Sequence, residues 1–175
     1  LTHGFLSIEG EKMSKSTGNI IPSDEAIDEY GGDVLRLWVV GSDYTDDLRI
    51  SADILKYHTD IYRRLRNTLR YLLGNLNGFD ERERVDYAEM PELERWVLHK
   101  VSEIDERLRD GCARFEYHHI FTELQNFCAV DLSAFYFDIR KDALYCDRVD
   151  SLKRRACRTV LDILFDCLTA WCAPF

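Results

Sequence analysis

The sequence predicts a mainly α-helical chain, an antiparallel helical bundle behind a short N-terminal β-loop-α segment. Three observations carry this. The 175 residues hold only three prolines and nine glycines, so long stretches are free of helix breakers. Hydrophobic residues make up 46% of the chain, enough for one sizeable core. In four separate windows they recur at steps of three and four, the period of one buried helix face.

The elements follow in chain order. LTHGFLSI mixes β-formers with a glycine ahead of a turn, which predicts a short strand entering a polar loop, GEKMSKSTGN. Ser23 then starts a helix, with Asp24 and Glu25 in its first turn where negative charge favours the helix dipole. Gly31-Gly32 is expected to end it. Asp33 is placed to cap a short apolar helix, VLRLWVV, which stops at Gly41. Residues 1–50 are thus expected as one compact β-α-α piece and residues 51–175 as the bundle.

In the bundle, Ser51 is the expected N-cap of a long helix whose apolar stripe runs Ile54, Ile61, Leu65, Leu69, Leu72, Leu76 and which Asn77-Gly78 closes. Pro91 suits the first turn of a second helix, acidic on its surface, with Leu93, Val97, Val101, Ile104 and Leu108 on one face. From Glu116, the positions Tyr117, Phe121, Leu124, Cys128, Leu132, Phe135 and Ile139 share a face. So do Cys157, Leu161, Leu164, Leu168 and Trp171 near the end. Four amphipathic helices with short links make an antiparallel bundle.

Composition bounds the function. A net charge of −9 argues against indiscriminate nucleic-acid binding and for a localised contact. No apolar run reaches the ~18 residues of a membrane span. The chain opens Leu1-Thr2-His3-Gly4 with no leader pattern, which reads as a piece cut from a larger soluble protein. Six cysteines at irregular spacing, without a C-x-x-C pair, read as reduced core residues. His118 and His119 are adjacent on a predicted helix and should point about 100° apart, away from any shared metal, so no metal site is expected.

Positive charge collects in three places. Arg63, Arg66 and Arg70 lie nearly opposite the apolar stripe of the long helix, with Arg64 on its flank. Lys153, Arg154, Arg155 and Arg158 place four cations in six residues, the arginines pointing away from their helix's apolar face. One such patch is most simply a solvated helix face. Two on one bundle are what a phosphate backbone needs, since each neutralised phosphate releases counterions and adds affinity. The third place is the loop, where Lys12, Lys15, Ser14 and Ser16 offer two ammonium groups, two hydroxyls and backbone N–H groups to one polyanion. It is not a P-loop, because G-x-x-x-x-G-K-[ST] is absent. A lysine is a point charge on a long stem and can follow a phosphate that shifts during reaction. Gly10 and Gly18 would let the loop close and reopen. From the residues alone, an exposed polar turn is an equal reading.

A resemblance separates the two. Lys12-Met13-Ser14-Lys15-Ser16 matches the KMSKS signature of class I aminoacyl-tRNA synthetases letter for letter and is followed by the usual Gly18-Asn19. YGGDVLRLWV, SDYTDDLRIS, YRRLRNTLRYLLGNLNGFD and NFCAVDLSAFYFDIRKDALY resemble the isoleucyl branch of that family. The valyl and leucyl branches share the YGGD-x-LR type of helix and are less similar through RNTLRYLLGNLNGFD. The resemblance implies that the bundle is an anticodon-binding domain, and that residues before about 50 end the catalytic domain and touch the inner corner of a tRNA. It implies activation of isoleucine with ATP and Mg2+, then transfer to tRNA(Ile).

Lys15 would stabilise charge on the leaving pyrophosphate and Lys12 would support a phosphate. Met13 would anchor the loop, and Ser14 and Ser16 would donate hydrogen bonds or shape it. The nucleotide-binding half lies outside this sequence, so the fragment is expected to be inert alone, with no cofactor bound. Any zinc would sit in a C-terminal part not included here. The resemblance further implies a cytoplasmic monomer without membrane contact. Arg63, Arg66, Arg70, Arg154, Arg155 and Arg158 are candidate tRNA contacts from charge placement, not from a family motif. A different class of reading is a helical RNA- or protein-interaction module whose loop is incidental.

Overall fold

The computed structural model describes residues 4–8, 10–16 and 18–175. Of the expected strand LTHGFLSI, Leu1 to His3 lie outside the described residues. Strand β1 (Leu6–Ile8) pairs antiparallel with β2 (Glu11–Lys12) and parallel with β3 (Leu48–Ile50), giving the sheet order β2-β1-β3. The parallel pair requires a crossover, and α1 (Ser23–Tyr30) and α2 (Gly32–Gly41) supply it. The described residues up to Ile50 therefore form a β-β-α-α-β unit rather than the expected β-α-α piece. Two glycine roles differ as well. Gly31, at φ 87°, makes the whole turn between the helices, in a conformation an L side chain rarely adopts. Gly32 already belongs to α2, and Asp33 sits in its first turn without capping it.

From β3 the chain enters α3 (Ala52–Leu76) across one residue, Ser51, whose hydroxyl accepts the Ile54 N–H at 3.2 Å as expected of an N-cap. Gly78, at φ 68°, turns the chain out of the helix. The next link is long. It crosses the bundle through two 3-10 turns, Glu81–Glu83 and Tyr87–Glu89, before α4 (Glu92–Arg114) begins. Then come α5 (Tyr117–Asn126), a π-helical stretch Phe127–Tyr136, α6 (Phe137–Tyr145) and α7 (Leu152–Cys172).

The π-helical stretch corrects the expected face of this region. Its i→i+5 hydrogen bonding takes up more residues per turn than an α-helix, so the stripe slips along the sequence. Phe121, Leu124, Cys128 and Leu132 are buried as expected, but Phe135 and Ile139 are 42% and 46% exposed. Tyr136, Phe137, Arg140 and Leu144 occupy the inner face instead.

The bundle core contains Leu72, Val97, Ile104, Leu124, Leu132, Leu161 and Leu164, all essentially without solvent contact. Each such side chain contributes about 1.5–3 kcal/mol on burial. A second, smaller cluster of Trp38, Leu48, Ile50 and Leu55 lies between the sheet, α2 and the start of α3. Leu37, Ile61 and Phe121 join the two regions, so the loop-bearing unit is packed directly onto the bundle. Gly41 fits that seam because a Cβ there would meet the Phe121 ring at 2.9 Å.

Candidate functional site

The signature loop grows out of the β1–β2 hairpin. The Met13 N–H donates to the Leu6 carbonyl at 2.8 Å, carrying the ladder one residue past Lys12. The Met13 side chain packs against the Trp38-Leu48-Ile50-Leu55 cluster. Beyond it the chain turns on itself. The hydroxyls of Ser14 and Ser16 lie 2.8 Å apart, and the Ser16 N–H donates to the Ser14 hydroxyl at 3.3 Å. Lys15 stands exposed on this turn, between the two serines. Gly18, at φ 73°, brings the chain back.

Two further residues shape the loop, and the sequence reading gave them no role. The Asn19 side-chain amide accepts the Ser14 N–H at 3.0 Å and donates to the Lys12 carbonyl at 3.2 Å. The ammonium of Lys12 lies 3.8 Å from the centroid of the Phe5 ring, a cation–π contact. Phe5 itself is 57% exposed, and its N–H donates to Asp47 Oδ1 at 2.6 Å. The signal for Asn19 is its place directly after the glycine that reverses the loop. For Phe5 it is an aromatic one residue ahead of a two-stranded hairpin, where a cation across the turn can reach it. Lys12 also lines a shallow polar cleft with Ser7, Asp46, Asp47 and Arg49.

The arginines of α3 are disposed as the spacing predicts. Arg63, Arg64, Arg66 and Arg70 are all exposed. Arg63 has Asp60 at 3.7 Å, with both side chains largely in solvent, so the pair is worth little. Among the described residues Arg64, Arg66 and Arg70 form no ion pair within 4 Å. Arg63, Arg66 and Arg70 flank a shallow depression with Asn67, Leu69 and Leu73.

The second basic patch is different. Its arginines do not project freely into solvent: the link 77–91 lies across Arg155 and Arg158, and Arg154 turns to the connection between α6 and α7. Arg158 is buried. It donates to the carbonyls of Asn75 and Asn77 at 3.2 and 3.0 Å, and to both carboxylate oxygens of Glu83 at 2.8 and 2.6 Å. It thereby closes the C-terminus of α3, whose last carbonyls lack helical partners. Arg155 donates to the carbonyls of Glu83, Arg82 and Arg84 at 3.1, 3.4 and 3.5 Å. Arg154 reaches the Asp147 carbonyl at 3.4 Å. Of these four cations only Lys153 is left exposed. Arg84, from the same link, is held charged by Glu81 first and then Asp162, at 2.8 and 2.6 Å, which push its pKa up.

The other titratable groups have structural surroundings. His58 is buried, stacked on Phe121, with Nδ1 2.8 Å from the Ile54 carbonyl. Burial lowers its pKa and keeps it neutral. The rings of His118 and His119, expected to diverge, have centroids 4.0 Å apart, because the side chains lean together off the helix. His118 Nε2 is 3.9 Å from Asp43 Oδ2. Among the described residues no three His, Cys, Asp or Glu are grouped so as to hold a metal ion. All six cysteines are free, and Cys146, unlike the core cysteines expected, is exposed at the end of α6. No helix among the described residues is long and apolar enough to cross a membrane.

Comparison with known proteins gives the loop and the bundle a common context. A family model described as tRNA synthetases class I (I, L, M and V) matches residues 1–51, and one described as the anticodon-binding domain of tRNA ligase matches residues 94–175. Across 99% of its length the chain is 57% identical to an isoleucine–tRNA ligase of Ruegeria pomeroyi, 53% to that of Caulobacter vibrioides and 48% to that of Pelagibacter ubique. It spans 18%, 18% and 20% of those proteins, about a fifth of their length. With a synthetase family model matching one end, an anticodon-binding-domain model matching the other and isoleucine–tRNA ligases similar throughout, the chain resembles a segment of the isoleucine branch of the class I tRNA synthetases.

Proposed function

We propose that the protein carrying this segment is an isoleucine–tRNA ligase, which activates isoleucine with ATP and passes it to tRNA(Ile). The observation that carries the reading is Lys15, held exposed at the tip of a loop whose entry is fixed by the Met13 N–H bond to Leu6 and by Met13 packing. In adenylation the isoleucine carboxylate attacks the α-phosphate and pyrophosphate leaves, so negative charge grows on the β- and γ-phosphates. A cation that meets this charge best in the transition state lowers the barrier. Lys15 has that position and Lys12 supports a phosphate. Met13 is the anchor, and the Ser14–Ser16 hydroxyl pair sets the turn and can donate to phosphate oxygens. A magnesium ion would enter with the ATP phosphates, as part of the substrate. Any zinc would sit in a part of the ligase outside this segment.

For RNA the reading rests on Arg63, Arg66 and Arg70, whose guanidinium groups face solvent in one row. Arg154, Arg155 and Arg158 are engaged inside the protein and serve the platform instead. Residues 1–50 then complete the catalytic domain and residues 51–175 hold the anticodon arm. The segment alone is inert, since the half that binds the nucleoside and amino acid is elsewhere. The full-length ligase is a cytoplasmic monomer in this reading.

The test is isoleucine-dependent ATP–pyrophosphate exchange by the full-length enzyme with Lys15→Ala. A loss of about 10²-fold in kcat, about 3 kcal/mol, is expected. Unchanged exchange would leave the loop without a catalytic part and favour a helical interaction module.

A further inference from the structure

We infer that Asn19 is a positioning residue for the phosphate loop, and that it acts by completing a strand ladder with its side chain. The inference rests on the reading of Lys15 given above. In an extended strand the N–H and C=O of one residue face one side, and the preceding C=O and following N–H face the other. Met13 sits at such a position. Its own N–H is bonded to Leu6 of β1. The opposite side presents the Lys12 carbonyl and the Ser14 N–H, and these are the two groups that Asn19 takes, with Nδ2 donating to the first and Oδ1 accepting from the second.

A carboxamide carries one donor face and one acceptor face, like a peptide group, so it can stand in for a neighbouring strand. Among the described residues β2 is an edge strand of the sheet, with no strand on this side of it. Asn19 thus closes a seven-residue excursion and fixes the backbone on both sides of Met13. Lys12 is held in that clasp by its carbonyl and Lys15 follows it by one residue. The clasp therefore sets how the two ammonium groups stand relative to each other, without Asn19 touching a phosphate. Only an amide fits both partners. A carboxylate at this position would put an oxygen against the Lys12 carbonyl, and a shorter side chain would reach neither.

The consequence lies in kcat more than in substrate affinity, because a cation misplaced by about 1 Å forfeits on the order of 10²-fold in rate while the phosphates are still bound. The experiment is pyrophosphate exchange by the full-length ligase carrying Lys15→Ala, Asn19→Ala and both together, with tRNA affinity and thermal unfolding measured on each. Asn19→Ala is expected to lower kcat about 10- to 100-fold, with ATP KM changed less, and tRNA affinity and unfolding temperature unaltered. In the Lys15→Ala background it should cost little more, because the group it positions is gone. A harmless Asn19→Ala, or one whose loss multiplies in full with that of Lys15→Ala, overturns this inference and leaves the role of Lys15 standing. A Lys15→Ala enzyme with unchanged exchange overturns the underlying reading instead.

Discussion

The carboxylate of Glu94, without solvent contact, receives two hydrogen bonds from the guanidinium of Arg140, at 2.5 and 2.7 Å. The Tyr136 hydroxyl donates to the same carboxylate at 3.2 Å. Burial pulls the pKa of Arg140 down, but its bonds to Glu94 outweigh this and raise it. Arg140 and Tyr136 are also the residues that the π-helical slip brings inward, so the pair locks α4 against that slipped register. A buried pair that is broken leaves a lone charge, at a cost of about 3–5 kcal/mol. Arg140→Ala should destabilise the bundle by that amount in urea unfolding, whereas Glu94→Leu with Arg140→Met should recover most of it. Equal losses in the single and double variants would mean that packing, not pairing, sets the register.

The cation–π contact between Lys12 and Phe5 competes with any phosphate that Lys12 binds. Exposed contacts of this kind are worth about 0.5–1 kcal/mol. Phe5→Leu in the full-length enzyme should therefore lower the KM for ATP about two- to fivefold, read in steady-state exchange assays. A raised KM would show that the ring supports the working position of Lys12 rather than a resting one.

The two basic patches should separate in a salt titration of tRNA binding. Each phosphate contact contributes about 0.7–0.9 to the slope of log K against log salt. Replacing Arg63, Arg66 and Arg70 with glutamine should flatten the slope by roughly 2 and leave the unfolding temperature in place. Arg158→Ala should do the reverse, because it removes the partner of Glu83 and of the Asn75 and Asn77 carbonyls. Its expected signature is a loss of about 3–5 kcal/mol of stability with the salt slope intact.

Burial pushes the thiols of Cys128 and Cys157 up to about 12 and that of Cys172 up to about 11, against a usual value of 9.0. The fold therefore favours the protonated thiols. Their contribution is complete below pH 9 and is lost as pH rises from 9 through 11 to 12, because the unfolded chain releases those protons first. Burial raises Tyr71 and Tyr136 too, with the same sign at higher pH. The urea midpoint should fall above pH 9, less steeply with Cys128, Cys157 and Cys172 replaced by alanine. At pH 8 Cys146 should be the first thiol to react with a maleimide, by mass spectrometry of the folded chain.

Much of the fold is written in local signals. Ser51 caps α3 through its own hydroxyl, Gly78 leaves that helix at positive φ, and the steps of Val97, Val101, Ile104 and Leu108 give the buried face of α4. The loop was legible as a motif, but its geometry was not. What stayed hidden depends on partners far along the chain. Leu48-Arg49-Ile50 becomes a strand only because β1, some forty residues earlier, is there to pair with it. Arg158 looked exposed on its own helix, and its partners lie 75 to 83 residues away. The π-helical slip leaves no mark in the apolar periodicity, since Phe135 and Ile139 fit the α-helical stripe that the structure abandons.

The one-residue joint at Ser51 has a mechanical consequence. β3 is hydrogen-bonded to β1, the neighbour of the strand that leads into the phosphate loop, and α3 leaves β3 across Ser51 alone. Arg70 lies eighteen residues into that helix, roughly 27 Å along its axis. The helix and the sheet thus form a lever with its fulcrum at the joint, and a tilt of about 5° displaces the arginine row by about 2 Å over that length. In the proposed function, RNA settling against the far arm leans on the same packed unit that holds Lys12 and Lys15, so the fit of the one and the aim of the other are set together.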